Sequence, residues 1–277
     1  MAIFVNNIIV EGFNFPAGEC QVRLNNHHLS NEASVLAELF DSNDIMTLLL
    51  AIDALRRINP RIEIDLCIPY FPYARQDRVC NKGEALSVKV MADLINGLKC
   101  RTVTIVDPHS DVTSALINRC VVKTPADLII HSRLMTHMVE KNMTLVSPDA
   151  GSEKRVRHLA RQMAAAGHPT HVVIASKKRD PSTGLISDHQ VFGDVTGKTL
   201  IIIDDICDGG QTFISLAQSL KKQGAAEIFL YVTHGIFSKG LDQLKTYIQH
   251  IYCYHLVGHH LDSYHPSFIT ILKGEAS

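Results

Sequence analysis

The sequence predicts an α/β protein built from two similar domains, each with a mostly parallel sheet flanked by helices. Apolar runs of strand length alternate along the chain with segments of helical periodicity, the order that produces parallel sheets. The alternation occurs as two series, which we place in residues 1–138 and 139–277. A chain of 277 residues is long enough for two domains of ordinary size.

The first series starts with a helix whose apolar residues recur at three- and four-residue spacing and which ends at Asn59-Pro60. A strand then leads into a charged loop, Ser87 caps a second helix, and another strand follows. The predicted elements are helix Asn43–Ile58, strand Glu63–Ile68, helix Ser87 to about Ile95 and strand Thr102–Val106.

The second series has the same alternation. Its predicted elements are strand 144–146, helix 152–165, strand 171–175, strand 199–203, helix 213–222 and strand 227–232. The polar stretch from Ser176 to Gly197 opens with Lys177, Lys178 and Arg179. Cations at the base of a long loop predict a lid that closes over phosphates, and the alternative is a basic hairpin in solvent.

Composition argues against several classes of function. The chain has 27 Lys and Arg against 28 Asp and Glu, so no global charge favours nucleic acid or an anionic membrane surface. No apolar run reaches membrane-spanning length, and the first residues lack the pattern of a signal peptide. The seven cysteines are scattered without a C-x-x-C pair, which is typical of reduced thiols. We therefore expect a cytoplasmic protein that binds small molecules.

The segment Ile201–Thr212, IIIDDICDGGQT, carries the clearest functional signal. An apolar strand ends in Asp204 and Asp205, and open α/β sheets bind ligands at the carboxyl ends of their strands. The two glycines that follow allow the backbone to approach an anion, and Thr212 can cap a helix whose N-terminus offers amide groups to a phosphate. This arrangement predicts a ribose-phosphate site. The alternative is a strand–turn–helix with acids on its surface.

A charged loop, PYFPYARQDR, follows the strand Glu63–Ile68. Arg75 and Arg78 present planar cations that suit the oxygens of a polyphosphate. Gln76 and Asp77 can orient these arginines or bind a base and a ribose. The alternative is a solvated charged turn.

Two further strand ends carry residues that can bind a metal. His109, in Asp107-Pro108-His109, can ligate a metal or bond a phosphate oxygen, although a histidine bonded to backbone is commoner. Asp149 precedes a glycine and a helix that Ser152 caps. Hard oxygen ligands of this kind, shared with phosphates, suit Mg²⁺. Near the N-terminus, the aromatic residues of FNFPAGE can stack on a base or serve as an apolar anchor under a loop.

Together these motifs resemble the ribose-phosphate diphosphokinases, the phosphoribosyl pyrophosphate synthetases, from about Phe13 to Phe237. The resemblance rests on F-P-A-G-E, N-D-x-M-x-L-L-L-A-I-D-A-L, P-Y-F-P-Y-A-R-Q-D-R, V-D-P-H-S, V-S-P-D-A-G, K-K-R, D-D-I-C-D-G-G-Q-T and T-H-G-I-F-S. The Y-F-P-Y-A-R-Q-D-R stretch is the most specific, because phosphoribosyltransferases share the acidic strand and turn but lack it. The resemblance implies two domains of the phosphoribosyltransferase type.

The resemblance also implies a reaction and a set of residue roles. The β,γ-pyrophosphoryl group of Mg-ATP would be transferred to an anomeric ribose hydroxyl, with release of AMP. Lys177 and Arg179 would be catalytic by neutralising charge in the transition state. ATP would be bound by Phe15, Glu19, Arg75, Gln76, Asp77, Arg78 and His109, the metals by His109 and Asp149, and the ribose phosphate by Asp204, Asp205, Asp208, Gly209, Gly210, Gln211 and Thr212. Phe15 and Glu19 would reach the adenine of a neighbouring subunit, which implies a homo-oligomer built from dimers, up to a hexamer.

The chain departs from the family at three places. The turn Asp208–Thr212 reads D-G-G-Q-T where the family has D-T-x-G-T, so Gly209 lacks a hydroxyl for a terminal phosphate and Gln211 adds a bulky amide. Ala17 replaces an acid that reads adenine. The segment 28–38 and the residues after Tyr254 are unlike the family, which argues against control by ADP and phosphate.

Several functions remain open at this point. The extent of the resemblance favours ribose 5-phosphate as the acceptor, and the altered turn favours a larger 5′-substituted ribose such as ADP-ribose, in NAD-related metabolism. A non-catalytic regulatory partner of a synthetase would not need Lys177, Arg179, His109 and Asp149 together. A phosphoribosyltransferase is disfavoured by the arginine loop.

Overall fold

The computed structural model describes residues 2–24, 30–179, 186–258 and 267–273, without the side chains of 177–179 and 186–188. The chain forms two compact units, one that ends at Lys123 and one that begins at Thr124. The sequence placed this boundary at residue 138. The difference arises because helices Pro125–Ile129 and Arg133–Glu140 bury their apolar side chains in a core of the second unit.

The first unit contains a six-stranded mixed sheet and a separate two-stranded hairpin. Its described elements are β1 (Ile3–Val5), β2 (Ile8–Ile9), β3 (Glu11–Asn14), β4 (Cys20–Arg23), β5 (Glu32–Ala37), α1 (Ser42–Ile58), β6 (Glu63–Ile68), α2 (Ser87–Gly97), β7 (Thr102–Val106), α3 (Asp111–Leu116) and β8 (Cys120–Lys123). The strand order is β2-β1-β5-β6-β7-β8, with β5 to β8 parallel, β1 antiparallel to β5, and β2 antiparallel to β1. The predicted bounds of β6 and β7 are confirmed.

Helix α1 is determined by local chemistry that the sequence displays. Asp41 Oδ1 accepts a hydrogen bond from Asp44 N at 2.9 Å, and Asp44 Oδ2 accepts one from Asp41 N at 3.2 Å, which forms a capping box. Ile45, Leu48 and Ile52 are buried along one stripe of the helix. The helix ends before Asn59, and Pro60 follows. The predicted start at Asn43 was one residue late.

Arg101 joins the amino ends of three parallel strands in the first unit. Its Nη1 lies 2.8 Å from a carboxylate oxygen of Glu32 in β5 and 2.8 Å from one of Glu63 in β6. Its Nε donates to Asp65 at 3.0 Å. This arrangement neutralises acids at the end of the sheet opposite to the loops that the sequence assigns to ligands.

The second unit contains a seven-stranded sheet. Its described elements are α4 (Pro125–Ile129), α5 (Arg133–Glu140), β9 (Thr144–Ser147), α6 (Glu153–Ala165), β10 (Val172–Arg179), β11 (Ile186–Phe192), β12 (Thr199–Cys207), α7 (Gln211–Lys222), β13 (Glu227–Gly235), α8 (Asp242–Lys245), β14 (His250–Leu256) and β15 (Ile269–Ile271). The strand order is β11-β10-β9-β12-β13-β14-β15, and every pairing is parallel except that of β10 with β11. None of the helices in the described ranges is long and apolar enough to cross a membrane.

Alternate residues of the central strand β12 pack into two different cores. Leu200 and Ile202 lie in a cluster with apolar side chains of α7, and Ile201 and Ile203 lie in a cluster with those of α4, α5 and α6. The strand is therefore buried on both faces, as its uninterrupted apolar run predicted. This fixes the position of the residues that follow at its carboxyl end.

Some local predictions at element ends were wrong. Ser87 is the first residue of α2 rather than its cap, and Leu86 occupies the N-cap position. Thr212 lies inside α7, whose N-cap is Gly210. Ser152 occupies the N-cap of α6 but forms no side-chain capping bond, because its hydroxyl donates to the carbonyl oxygen of Asp149. The hydroxyl of Ser152 thus has a competing backbone partner that the sequence does not reveal.

The predicted loop Ser176–Gly197 is largely an antiparallel hairpin. Lys177, Lys178 and Arg179 continue β10, and residues 186–192 form β11. The hairpin given as the alternative is therefore the arrangement present in the described part of this stretch. Residues 180–185 lie outside the described residues.

Candidate active site

The acidic pair lies within β12, which continues past the predicted end at Ile203 as far as Cys207. Asp204 Oδ1 and Asp205 Oδ2 lie 3.5 and 3.6 Å from the guanidinium of Arg155 in α6. All three side chains are largely buried, and the backbone N–H of Asp205 donates to Asp204 Oδ1 at 3.0 Å. Two carboxylates and one cation are thus held together at the carboxyl end of the sheet.

Burial is the main influence on the ionisation of this pair. Burial, and then the charge of Asp205, raise the pKa of Asp204 well above its ordinary value, while Arg155 acts in the opposite direction. Asp149 also raises the pKa of Asp204, so its charge is felt at the pair. The site concentrates negative charge and would favour a cation or a hydroxyl-bearing ligand.

The turn Asp208–Gly210 connects the acidic strand to α7. Gly210 has φ +76°, the left-handed conformation that glycine adopts without strain, and a Cβ added there would lie 3.3 Å from Leu244 Cδ2. Helix α7 begins at Gln211 and has no side-chain capping bond. The amides of Phe213 and Ile214 donate to Gly210 O at 3.0 Å, and the amides before them are presented at the helix N-terminus. A helix N-terminus of this kind binds phosphate.

The loop after β9 fixes the carboxylate of Asp149. Its Oδ1 accepts hydrogen bonds from the amides of Gly151 at 3.0 Å and Ser152 at 3.2 Å. The buried hydroxyl of Ser147 donates to the carbonyl oxygen of Asp149 at 2.8 Å. The side chain is therefore oriented by its own loop, at the end of a strand adjacent to β12.

In the first unit, Arg75 and Gln76 are exposed on the loop after β6. Phe71 and Ala74 of the same loop are buried. The amide of Gln76 donates to Tyr73 O at 2.9 Å. A compact turn thus presents a cation and an amide to solvent on a buried base, which suits the binding of a polyphosphate.

Asp77 and Arg78 form an ion pair in the same loop. Arg78 Nε lies 2.9 Å from Asp77 Oδ1, and only 5% of the Asp77 side chain is exposed against 76% of that of Arg78. The hydrogen bond from Arg78 lowers the pKa of Asp77, and the charge of His109 acts in the same direction. His109 is exposed on the loop after β7. The structure therefore brings the predicted ATP loop and His109 close together.

The hairpin β3–β4 carries Phe15 and Glu19 at its turn. The amide of Phe15 donates to Glu19 O at 2.8 Å, and the Phe13 and Phe15 rings meet edge to face with centroids 5.3 Å apart. Both Phe15 and Glu19 are exposed. In the second unit, Lys177 and Arg179 lie in β10, where their backbones pair with those of His189 and Ile186 in β11. The structure does not describe the side chains of Lys177 and Arg179.

Comparison with known proteins identifies the family of this chain. A sequence-family model described as the N-terminal domain of ribose phosphate pyrophosphokinase matches residues 5–98, and one described as a phosphoribosyl transferase domain matches residues 125–254. The ribose-phosphate pyrophosphokinase of Aquifex aeolicus is 33% identical over 226 residues, which cover 81% of this chain and 70% of that protein. The chain belongs to the ribose-phosphate pyrophosphokinase family. It is therefore an enzyme of the diphosphotransferase type.

Further relatives of this family agree with that assignment. The ribose-phosphate pyrophosphokinase of Maricaulis maris is 34% identical over 227 residues, or 81% of this chain and 71% of that protein. The crystal structure of phosphoribosylpyrophosphate synthetase from Mycobacterium smegmatis matches with a TM-score of 0.78 and 26% identity, covering 96% of this chain and 86% of that chain. The predicted fold of two phosphoribosyltransferase-type domains is confirmed.

Sequence reasoning missed two basic residues near the family's phosphoribosyltransferase motif. Arg155 contacts both acids of β12, and its only signal was a cation in the first turns of the helix that follows Asp149. Lys239 lies against the turn at Gly209, on a loop that the sequence assigned no role. Both depend on contacts between segments distant in sequence.

Proposed function

We propose that this enzyme transfers the β,γ-pyrophosphoryl group of ATP to the 1-hydroxyl of ribose 5-phosphate. The observation that carries the proposal is the acidic pair of β12 followed by the uncapped N-terminus of α7, inside the phosphoribosyl transferase match. The C1 oxygen would form a bond to the β-phosphorus, the bond between that phosphorus and the α,β-bridging oxygen would break, and AMP would leave. The hydroxyl proton would pass to solvent.

The acceptor would bind in the second unit. The amides of Gly209 to Thr212 would hold its 5′-phosphate at the N-terminus of α7, with the side chain of Asp208 fixed by Ser238 Oγ, which donates to it at 2.6 Å. Asp204 and Asp205 would accept hydrogen bonds from the ribose hydroxyls. A hydroxyl can replace part of the hydration that these buried carboxylates have lost, which supports their assignment.

ATP would bind in the first unit. Arg75 and Arg78 would hold phosphate oxygens with planar, permanently charged groups, and Gln76 would contribute an exposed amide. Asp77 would orient Arg78 through their ion pair, and His109 would bond a phosphate oxygen. Phe15 and Glu19, exposed at a hairpin turn, would contact the adenine of a neighbouring subunit, which makes the enzyme a homo-oligomer.

The donor set fits Mg²⁺. Asp149, with its influence on Asp204, supplies hard carboxylate oxygen in a site of concentrated negative charge. Within the described residues, no group of three or more His, Cys, Asp or Glu side chains is placed to hold a metal by itself. Asp149 and His109 would each bind Mg²⁺ together with ATP oxygens and water, and the ion would neutralise phosphate charge.

Lys177 and Arg179 would stabilise the negative charge that develops on the transferred group. We expect Lys177→Ala and Arg179→Ala each to lower kcat for AMP formation by about 10²-fold or more. Lys198→Ala is the matched control, because the ammonium of Lys198 donates to Asp194 O at 2.7 Å in the same unit. AMP formation that continues undiminished in both variants would exclude the assigned mechanism.

ADP-ribose is a second candidate acceptor, which the turn sequence favours. Gly209 offers no hydroxyl to a terminal phosphate, and Gln211 is exposed at the first position of α7. A phosphate diester has fewer terminal oxygens to satisfy than a monoester. Measuring AMP release from Mg-ATP with each acceptor separately tests both proposals. Activity with ribose 5-phosphate alone supports the first, and a higher kcat/KM with ADP-ribose supports the second.

AMP release with neither acceptor would favour a regulatory role beside an active synthetase. Light scattering on the active protein tests the oligomer. A fully active monomer would contradict the assignment of Phe15 and Glu19 to a neighbour's adenine.

A further inference from the structure

The loop Ile236–Gly240, after β13, is hydrogen-bonded to the end of β12 and to the turn Asp208–Gly210, which we call the phosphate turn. The amides of Ile236 and Phe237 donate to Cys207 O at 2.8 and 3.1 Å, and Ser238 Oγ donates to Asp208 Oδ1. Phe237 is only 1% exposed, so the loop is also held by the core below it. The loop and the turn therefore support each other at the carboxyl end of the sheet, where the acceptor would bind.

In this loop, Lys239 lies directly against Gly209 of the turn. A Cβ atom built on Gly209 would be 3.5 Å from both Cδ and Cε of Lys239 and 3.8 Å from its Cγ. The methylene chain of the lysine thus lies beside the position that a Cβ of residue 209 would take, at ordinary contact distance from that position. The ammonium nitrogen is one covalent bond, about 1.5 Å, beyond Cε. Lys239 is exposed at this position, which leaves its charge accessible to a ligand of the turn.

The charge of Lys239 complements that of a phosphate group at the turn. A phosphate monoester carries up to two negative charges, whereas the N-terminus of a helix supplies only about half a positive charge. Lys221 and Lys222 lie in the last turn of α7, roughly 15 Å from its first residue along the helix axis. Lys239 instead places a full positive charge beside the amides that would hold the phosphate.

We propose that Lys239 binds the 5′-phosphoryl group of the ribose acceptor, as a charged donor at the place where Gly209 supplies no hydroxyl. This inference rests on the proposed function, since it assigns a further residue to the acceptor site of that reaction. Lys239 binds the end of the acceptor remote from the reacting hydroxyl. Its loss therefore raises KM for the acceptor and leaves kcat and KM for ATP unchanged.

Three variants separate the charge of Lys239 from its packing. Lys239→Met keeps a flexible apolar chain over Gly209 and removes the charge, whereas Lys239→Arg keeps the charge. Lys222→Met is the control, since it removes a lysine from the C-terminal end of α7, the helix whose N-terminus would hold the phosphate. We expect about a tenfold rise in the KM for ribose 5-phosphate with Lys239→Met, in line with the strength of a charge-assisted bond, recovery with Lys239→Arg, and no change with Lys222→Met. Wild-type KM in Lys239→Met, or an equal fall of kcat, overturns the inference.

A binding measurement separates this inference from the proposed function. Calorimetry gives the Kd of ribose 5-phosphate and of ADP-ribose without ATP, for the wild type and for Lys239→Met. If the wild type binds an acceptor but forms no AMP, the proposed reaction fails, and about tenfold weaker binding by Lys239→Met still supports the role of Lys239. Equal binding by both proteins overturns that role, whichever acceptor is bound. A wild type that neither binds nor converts either acceptor refutes both proposals.

Discussion

Replacing the two neighbouring glycines of the phosphate turn by alanine should have opposite consequences. Gly210 has φ +76°, and a left-handed backbone costs a residue with a Cβ about 1–2 kcal/mol. Its added Cβ would also meet Leu244, which is 2% exposed, at 3.3 to 3.4 Å. Because replacing glycine by alanine restricts the unfolded chain, which favours folding by about 0.4–1 kcal/mol, we expect Gly210→Ala to lower the free energy of unfolding by about 1–2 kcal/mol.

Gly209→Ala is the matched control. No left-handed φ occurs at Gly209, and its nearest neighbours are the flexible methylenes of Lys239 at 3.5 Å. Only the effect on the unfolded chain remains, so we expect no loss of stability or a gain of up to about 1 kcal/mol. The two variants should differ by about 2 kcal/mol, which corresponds to roughly 4–8 °C in Tm for a domain of this size.

Thermal and urea unfolding followed by circular dichroism measure this difference. Gly210→Asn adds a test of the cause, because asparagine tolerates the left-handed conformation better than alanine does. It should recover part of the lost stability if the backbone is responsible. Equal Tm values for Gly209→Ala and Gly210→Ala would refute the reasoning, and a KM for the acceptor that Gly210→Ala leaves unchanged would separate the turn from phosphate binding.

Three further predictions concern charge and thiol chemistry. Arg155→Met removes the cation that lowers the pKa of Asp204, so we expect that pKa to rise further and the acid limb of the kcat/KM profile to move to higher pH. Arg157, an exposed residue in α6, provides the control, and the pH profile of Arg157→Met should match that of the wild type. Arg101→Met should lower the urea midpoint at pH 7, because the hydrogen bond from Arg101 depresses the pKa of Asp65. The stability linked to a depressed carboxyl pKa is present above the unfolded pKa and lost as pH falls through the folded one. The difference between wild type and variant should therefore begin to shrink only below about pH 4, as the pH falls towards the folded pKa of Asp65; a difference that disappears already between about pH 7 and pH 5 would contradict this. Iodoacetamide should modify the exposed Cys80 first and leave the buried Cys253 intact in the folded protein, since burial raises the pKa of that thiol to about 12; mass spectrometry of the labelled peptides decides the order.

The elements that the sequence predicted well are those with a strong local pattern. Strands β6 and β7 match their predicted bounds because each begins at a polar residue and continues through buried apolar residues to Ile68 or Val106. The predicted start of α1 was displaced by one residue because its capping box lies just before the apolar stripe. The short strands β1 and β2 were not predicted. Each has only two or three residues. They pair with each other, and β1 also pairs with β5, which lies more than twenty residues away.

The same distinction applies to the site. The sequence predicts roles for Asp149, Asp204 and the glycine turn because strand, acid and glycine are adjacent in the sequence. Arg155 and Lys239 were not found, because their meaning comes from contacts with β12 and its turn across 49 and 30 residues, the latter from Lys239 back to Gly209. A sequence shows which chemical groups are present, but the partner of a solitary cation is fixed only by tertiary packing.

The contact between Lys239 and Gly209 has a consequence for the evolution of this family. The lysine chain lies beside Gly209 in the space towards which the branches of a larger residue would extend, so a larger residue at this position would displace the lysine from the turn. A relative with a threonine at the position of Gly209 should carry a small residue at the position of Lys239, and a lysine there should accompany glycine. Because β12 and β13 are held in register by eight residue pairs, such paired exchanges in their loops can alter the acceptor site while the sheet stays unchanged.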